Sequence, residues 1–206
     1  MNIIRKKRTQ FFLFLSGYVA LSIAAKNCRD MVGKAASSKT GHFSFLDCFD
    51  WSTGSVACTV KEAVKLYSNS IRETHVQLTR QKSLDSALAD AASQGLSGKE
   101  AEKHAKKEAN KAAKRADRNA NRVLGPIVSS GWDFFEVMYY GGTITEGFLR
   151  AGGTLVGTYA VGFLAQQRFG WFGYLLGSTF GSWIGGRIGL LLYDVVNGVH
   201  YLLQSI

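Results

Sequence analysis

Proline is almost absent from this chain, since Pro126 is the single proline among 206 residues. Folds with many short strands place proline and other turn residues at their connections, so this scarcity argues against a loop-rich all-β fold and favours helices. Charged residues are also scarce, at 19% against 46% hydrophobic residues, and they concentrate between residues 61 and 122. We therefore expect the two halves of the chain to meet different surroundings.

Motifs for catalysis and for metal binding are missing as well. The sequence contains no GxxxxGK[ST] phosphate loop, no GxSxG nucleophile turn and no HExxH zinc motif. The four histidines are scattered along the chain, at His42, His75, His104 and His200. We expect no catalytic residues, no metal site and no cofactor, and an enzyme is the class that the sequence supports least.

Cysteine is rare, and its spacing excludes a zinc site. Cys28, Cys48 and Cys58 form neither a CxxC pair nor a cluster with histidine. In an oxidising compartment Cys48 and Cys58 would close a short loop and leave Cys28 without a partner. The sequence favours the other alternative, three reduced thiols.

The N-terminal region combines a basic cluster with a short apolar run. Residues 5–8 read RKKR and precede the apolar or small residues 11–25, with Ser22 and Ala24 as a small-residue cleavage pair. The run is shorter than the ~20 residues of a transmembrane helix. We predict that residues 1–27 are a signal peptide or a signal-anchor, with a mitochondrial presequence as a third alternative.

Two different segments follow this N-terminal region. Residues 28–60 are rich in serine, glycine and aromatic residues, and we predict a loop segment in which Phe43, Phe45, Phe49 and Trp51 pack locally or touch a membrane interface. Residues 61–124 are predicted as a basic helical region. In its first helix, apolar residues recur near the heptad spacing of a coiled coil, at Val64, Tyr67, Ile71 and Leu78, and then at Leu84, Leu88 and Ala91.

The second helix of the basic region has recognisable ends. Gly95 interrupts the first helix, and Ser97 with Glu100 forms an S-x-x-E capping box at the start of the second. Gly125 and Pro126 predict that this helix stops after Leu124.

One face of the second helix is basic and the opposite face is alanine. The basic residues repeat mostly every four positions, at Lys99, Lys103, Lys107, Lys111, Arg115, Arg118 and Arg122. Like charges at this spacing repel, so the arrangement does not stabilise an isolated helix. We interpret it as a face for anionic lipid headgroups, with a solvated helix packed through its alanines as the alternative. Nucleic acid is a poor candidate partner because no aromatic residues interleave with the basic ones.

The C-terminal region, residues 127–206, changes character again. An aromatic stretch that contains Trp132, Phe134, Phe135, Tyr139 and Tyr140 predicts an interfacial helix. Two nearly uncharged segments then flank the turn at residues 168–170, and each is about as long as a membrane span. We predict a helical hairpin in a membrane, with Glu146 and Arg150 forming an interfacial ion pair beside its first helix.

Glycines repeat every fourth residue in the second hairpin helix, at Gly173, Gly177, Gly181, Gly185 and Gly189. Gly153 and Gly157 offer a shorter matching face on the first hairpin helix. Glycine inside a helix costs about 1 kcal/mol relative to alanine, but a row of small residues lets helix backbones approach closely in lipid, where little hydrophobic force draws helices together. The row therefore predicts close helix packing, either between the two hairpin helices or between copies of the chain.

Two charges interrupt the second hairpin helix. We expect Arg187 to reach the interface or to pair with Asp194, because an unpaired charge within the bilayer is unfavourable. The charge rule for topology gives conflicting results, since residues 5–8 favour a cytoplasmic N-terminus while Arg118, Arg122 and Arg150 favour cytoplasmic flanks for the hairpin. Either the N-terminal segment does not span a membrane or the long loop is exempt from the rule.

Residues 151–196 resemble the glycine-zipper hairpins of unrelated membrane proteins, some of which oligomerise and bend membranes. The resemblance is a packing motif and defines no family. We predict an all-α integral membrane protein with a basic helical middle region and a C-terminal glycine-zipper hairpin. Its expected function is to organise or shape a membrane by self-association or docking, in the endoplasmic reticulum, another endomembrane or a mitochondrial membrane. The alternatives are a channel or transporter component and an accessory subunit of a larger membrane complex.

Overall fold

The computed structural model describes residues 2–33, 37–38, 48 and 53–204, and its side chains from residue 12 onward. This part of the chain is all-helical, as predicted. It forms α1 (Asn2–Val32), α2 (Thr53–Ser93), α3 (Gly98–Tyr139) and α4 (Ile144–Gln204). The aromatic contacts predicted for Phe43, Phe45, Phe49 and Trp51 fall outside the described residues.

The chain divides into two compact units. Unit 1 contains residues 1–43 and 129–206, which include α1, the end of α3 and all of α4, and within it α1 packs on α4. Unit 2 contains residues 44–128, which include α2 and most of α3. The boundary between the units falls inside α3, near Pro126.

The connection between α2 and α3 agrees with its sequence signals. Gly95 adopts a φ of 70°, and the amides of Gly95 and Leu96 donate to the carbonyls of Ala92 and Ala91. This pattern closes a helix with a left-handed residue that glycine adopts without steric strain. Ser97 then begins α3, and its hydroxyl donates to the Glu100 carboxylate at 2.7 Å.

The predicted stop at Gly125 and Pro126 is wrong, because α3 continues through Pro126 to Tyr139. A proline inside a helix removes one backbone donor and costs about 3 kcal/mol. Its ring also crowds the Cβ of the preceding residue. Gly125 has no Cβ, so one of these two obstacles is absent here.

Helix α3 ends in the same way as α2, with a glycine of positive φ and amides that donate to carbonyls of the last turn. Gly141 has a φ of 74°, and Gly141 and Gly142 donate their amides to the carbonyls of Met138 and Val137. The hydroxyl of Thr143 then accepts the Glu146 amide at 3.2 Å, which caps the start of α4.

Helix α4 consists of two helical arms separated by a kink. Gly170 lies between them with non-helical angles, φ 62° and ψ −145°, which are accessible to glycine and strained for other residues. We call residues 144–169 arm 1 and residues 171–204 arm 2. By length and composition α4 is a candidate membrane span, and it is the one such helix within the described ranges.

Candidate helix-packing and anion-facing sites

The two arms of α4 run antiparallel and touch through their backbones. The closest glycine pairs between the arms are Gly153 with Gly185 and Gly157 with Gly181, each placed symmetrically about Phe169, and the neighbouring glycines are also close. A Cβ on Gly157 would lie 2.9 Å from the Cα of Gly185, and one on Gly185 would lie 3.0 Å from the Cα of Gly157. We call the contact formed by Gly153, Gly157, Gly181, Gly185 and Gly189 the glycine seam.

The glycine seam leaves no room for a side chain, because the nearest atoms are backbone. A Cβ on Gly189 would lie 2.9 Å from the Cα of Arg150, and one on Gly181 would lie 2.9 Å from the Cβ of Val161. Closer to the turn, a Cβ on Gly177 would lie 2.7 Å from the Val161 carbonyl oxygen, and one on Gly173 would lie 2.7 Å from the Cβ of Phe169. Backbone atoms cannot rotate away, so each of these positions depends on glycine.

The outer surface of the hairpin carries large apolar side chains. The glycines of the seam that lie on arm 2 are buried. By contrast, Val156 is 70% exposed and Phe180 is 63% exposed. The other strongly exposed apolar residues of the hairpin include Phe148, Leu164, Phe169, Phe172 and Trp183. The contact between the arms thus buries glycines, while many large apolar side chains of the hairpin are exposed, which is unusual for a surface in water.

The predicted pair of Arg187 and Asp194 does not form. Asp194 is 2% exposed and accepts two bonds from Arg29, the shorter at 2.6 Å, and two from the amide and hydroxyl of Ser38 at 2.7 and 2.9 Å. Arg187 lies over the ring of Trp183, 4.5 Å from its centroid. No local pattern in the sequence specifies the register between α1 and α4, so Arg29 could not be identified as the partner of Asp194.

Helix α1 packs closely on arm 2 beside this ion pair. Ala25 is fully buried, Cys28 is 9% exposed, and a Cβ on Gly198 would lie 3.1 Å from the Cα of Cys28. Phe14 lies on α1 about four turns before Cys28, and it lines the same groove as Ile184 and Ile188 of arm 2. Residues increase in number in the same direction along both helices, so α1 and arm 2 run parallel.

A buried charged cluster joins the end of α3 to arm 1. The guanidinium of Arg150, 4% exposed, bonds to Asp133 at 3.1 Å and also to Glu136. Asp133 in turn accepts the hydroxyl of Thr154, and Glu136 accepts the indole N–H of Trp132 at 2.9 Å. From the sequence, Arg150 was predicted to form an interfacial ion pair with Glu146, and the partners Asp133 and Glu136 were not predicted, although two acids in an aromatic stretch were a usable signal.

In unit 2, α2 and α3 pack through alanine. The buried alanines are Ala57, Ala87 and Ala91 on α2, and Ala101, Ala105, Ala109 and Ala116 on α3. Arg72 of α2 bonds to Asn121 at 2.7 Å and to Asp117 at 3.6 Å, which fixes the register of the two helices.

The basic residues of α3 lie opposite its alanine face. Lys99, Lys103, Lys107, Lys111, Arg115 and Arg118 are exposed, and Arg122 is half-buried. Lys111 bonds to Glu108 at 2.6 Å, and the neighbouring Lys106 bonds to Glu102. Hydrogen bonds from these lysines lower the pKa of Glu108 and of Glu102 below the ordinary value of 4.5. Part of the positive face is therefore neutralised by its own helix.

The heptad residues of α2 from Val64 to Leu78 are exposed, whereas Ala91 at the end of the same row is buried. Val64 is 46% exposed, Tyr67 69%, Ile71 43% and Leu78 58%. Val56 and Val60 extend the same row and are also exposed. We call this row of six residues the α2 stripe. The sequence periodicity identified the stripe, but within unit 2 alanine occupies the packed face.

Cys48 and Cys58 form a disulfide, so the expectation of three reduced thiols is wrong for this pair. Ser55 donates its hydroxyl to the Cys48 carbonyl at 2.9 Å, which adds a second link between residue 48 and the start of α2. Cys28 is a free, buried thiol. Disulfides persist in oxidising compartments.

No family model matches the chain, and no curated protein and no solved structure is significantly similar to it.

Proposed function

We propose that this chain is a non-enzymatic membrane protein in which the α4 hairpin is the anchor and unit 2 holds an anionic membrane surface or an acidic partner. The observation that carries the proposal is the reversed packing of the hairpin, with glycine inside and Phe148, Phe172 and Phe180 outside. In water such a surface is unfavourable, whereas in lipid it is the expected arrangement.

The distribution of charge in α4 supports the same proposal. Residues 151–167 and 169–186 carry no Asp, Glu, Lys or Arg, and Arg150, Arg168 and Arg187 bound them. Each stretch approaches the lower limit of about 17 residues that cross a bilayer. Arg187 belongs at the level of Arg150, because Gly186 faces Thr154 and lies near the Arg150 side chain. It therefore lies at the end of the apolar segment, where arginine reaches headgroups and tryptophan is common.

The proposal assigns unit 2 to an oxidising compartment, such as the lumen of the endoplasmic reticulum, because of the Cys48–Cys58 disulfide. A cytoplasmic N-terminus with residues 5–8 on the other side of the membrane is consistent with this placement. Packing of Ala25 and Cys28 on arm 2 favours an α1 that is retained as an anchor. A mitochondrial membrane with an oxidising intermembrane side is the alternative location.

The channel alternative loses its main support, since Asp194 bonds to Arg29 and Ser38 while Arg187 stacks on Trp183. The accessory-subunit alternative keeps a specific observation in its favour, which is the exposed α2 stripe.

Alkaline carbonate extraction of membranes that contain the full chain tests the anchor. We expect the protein to remain in the membrane pellet, together with an N-terminus that is intact by mass spectrometry. Release into the supernatant would overturn the proposal, because the exposed phenylalanines would then belong to a peripheral or soluble assembly.

Binding to anionic vesicles tests the role of unit 2. A variant with Lys99, Lys103 and Lys107 changed to Glu should bind phosphatidylserine vesicles more weakly, because each basic residue near such a surface contributes ~1 kcal/mol. Lys61→Glu, Lys65→Glu and Lys82→Glu on α2 make a control of equal charge change. Equal losses in both variants would show that net charge, and not the α3 face, governs binding.

A further inference from the structure

We infer that the α2 stripe is the interface of a parallel two-stranded coiled coil with a second copy of this chain. The inference rests on the proposed membrane location, and it assigns self-association to unit 2 instead of the glycine seam. The glycines of the seam contact each other within one chain, so the packing of the two arms already accounts for the glycine row.

The first support is the spacing and width of the stripe. Val64, Ile71 and Leu78 are seven residues apart and occupy one heptad position, and Val60, Tyr67 and Thr74 occupy the other. These positions form a narrow row, whereas a helix that faces a broad core or a lipid surface carries a wider apolar face. A narrow row repeating every 3.5 residues fits a second helix.

The residue types point to two parallel strands. Val64 and Ile71 are β-branched residues at the first apolar heptad position, as in parallel dimers, although the other heptad position carries no leucine. The flanking positions that meet in such a dimer pair Ala63 with Ser68, Ser70 with His75, and Gln77 with Lys82. These pairs contain no two like charges. An antiparallel pair would instead bring Lys61 of one copy near Lys82 of the other.

The small area of the α2 stripe explains why anchoring in one membrane would help two copies to associate. Covering the six stripe side chains on two copies removes roughly 1,000 Å² of surface, which is the lower bound for a specific interface. Two copies anchored in one membrane share an orientation and a raised effective concentration, so a modest interface is sufficient. The opposite face of α2 is occupied by α3 and does not compete for the stripe.

Cysteine cross-linking of the full chain in membranes tests this geometry. In a parallel coil Ile71 meets Ile71 of the other copy, so Ile71→Cys should cross-link on mild oxidation. Glu73→Cys is the matched control, because Glu73 is exposed on the same helix but off the stripe. The native chain supplies a background control, since Cys48 and Cys58 are bonded and Cys28 is buried. We expect a dimer yield for Ile71→Cys about tenfold above Glu73→Cys, because contact replaces random collision.

Equal cross-linking at the two positions, or none at position 71, overturns the inference. A second measurement separates the inference from a folding defect. In liposomes at one lipid-to-protein ratio, labelled copies of the native chain should show energy transfer as a dimer does, Ile71→Asp should behave as a monomer, and Glu73→Lys should behave as a dimer. A native monomer whose Tyr67→Trp fluorescence shifts to the blue on vesicles would assign the stripe to lipid and contradict the coiled coil. If that monomer still resists carbonate extraction, the membrane proposal stands and the coiled coil alone fails.

Discussion

In unit 1 the arms of α4 meet through glycine, whereas in unit 2 helices α2 and α3 meet through alanine. Glycine brings backbones into direct contact, and Cα–H groups then approach carbonyl oxygens of the opposite arm. It also weakens an isolated helix by about 1 kcal/mol per residue relative to alanine. Alanine keeps the helix stable in water but holds the two backbones further apart.

This difference is what the proposed membrane location of the hairpin predicts, with lipid around unit 1 and water around unit 2. In lipid, the helix is already enforced because unpaired backbone groups are expensive, so glycine is tolerated and close contact supplies the attraction. In water the helix itself must be stable, and the alanine face of α3, with its many charged residues, meets that need. The same reasoning explains why exposed apolar residues cover the hairpin but form only a narrow stripe on α2.

Replacing the buried arginine should change stability most. Arg150→Leu leaves Asp133 and Glu136 without their buried cationic partner, and breaking such a pair costs about 3–5 kcal/mol. Unfolding of the full chain in detergent should show this loss. The control Arg168→Leu, at an exposed position in the hairpin turn, should have little effect. A similar loss in both variants would mean that the charged cluster contributes no special stability.

Opening the disulfide should selectively weaken unit 2. In the chain-entropy account, closing a loop of about ten residues stabilises by about 2–3 kcal/mol. Limited proteolysis of a Cys48→Ser, Cys58→Ser variant should accelerate between residues 48 and 93 and leave the hairpin unchanged. Faster cleavage within α4 instead would contradict this assignment.

Adding a single methyl group to the glycine seam should destabilise the packing of the two arms. Gly185→Ala places a Cβ against the backbone of arm 1, and overpacking of this kind costs about 1–3 kcal/mol. Gly152→Ala is the matched control, because a Cβ on Gly152 has no neighbour within 4 Å. Thermal unfolding in detergent should fall for the first variant and stay level or rise for the second. Equal behaviour would show that the arms are not in contact.

Loss of the surface ion pairs of α3 on acidification should have the smallest effect. The pKa values of Glu102 and Glu108 are lowered by Lys106 and Lys111, so their stabilisation is present above the ordinary value of 4.5 and is lost as the pH falls through the lowered values. Helicity by circular dichroism should therefore decline slightly below about pH 4.5. The double variant Glu102→Gln, Glu108→Gln should lose this part of the decline. An unchanged profile would assign the decline to other carboxylates.

Local signals in the sequence predicted local structure well. Gly95, Ser97 and Glu100 act through hydrogen bonds to nearby residues, so their positions were enough to define the ends of α2 and α3. The turn near Gly170 was predicted for the same reason, because glycine between two apolar segments provides the break. The predicted stop at Pro126 was wrong because the proline ring normally crowds the Cβ of the preceding residue, and Gly125 has no Cβ.

Contacts between distant residues were largely beyond the sequence. Asp194 and Arg29 are 165 residues apart, and nothing local specifies which of several arginines meets that carboxylate. The basic face of α3 was predictable as a face but not in its charge balance, since Lys111 and Lys106 turn to acids on their own helix. The α2 stripe was visible in the spacing, yet the choice between stripe and alanine as the packed face depends on the neighbouring helix.

The kink at Gly170 also determines on which side of the hairpin a C-terminal fusion would lie. Arm 2 returns along arm 1, so the end of α3 near Thr143 and the C-terminal end near Gln204 emerge at the same end of the hairpin. A short turn has no room for a polar domain on the far side. An enzyme or fluorescent reporter fused after residue 206 would therefore read out the side on which α3 ends, without an insertion anywhere in the packed helices.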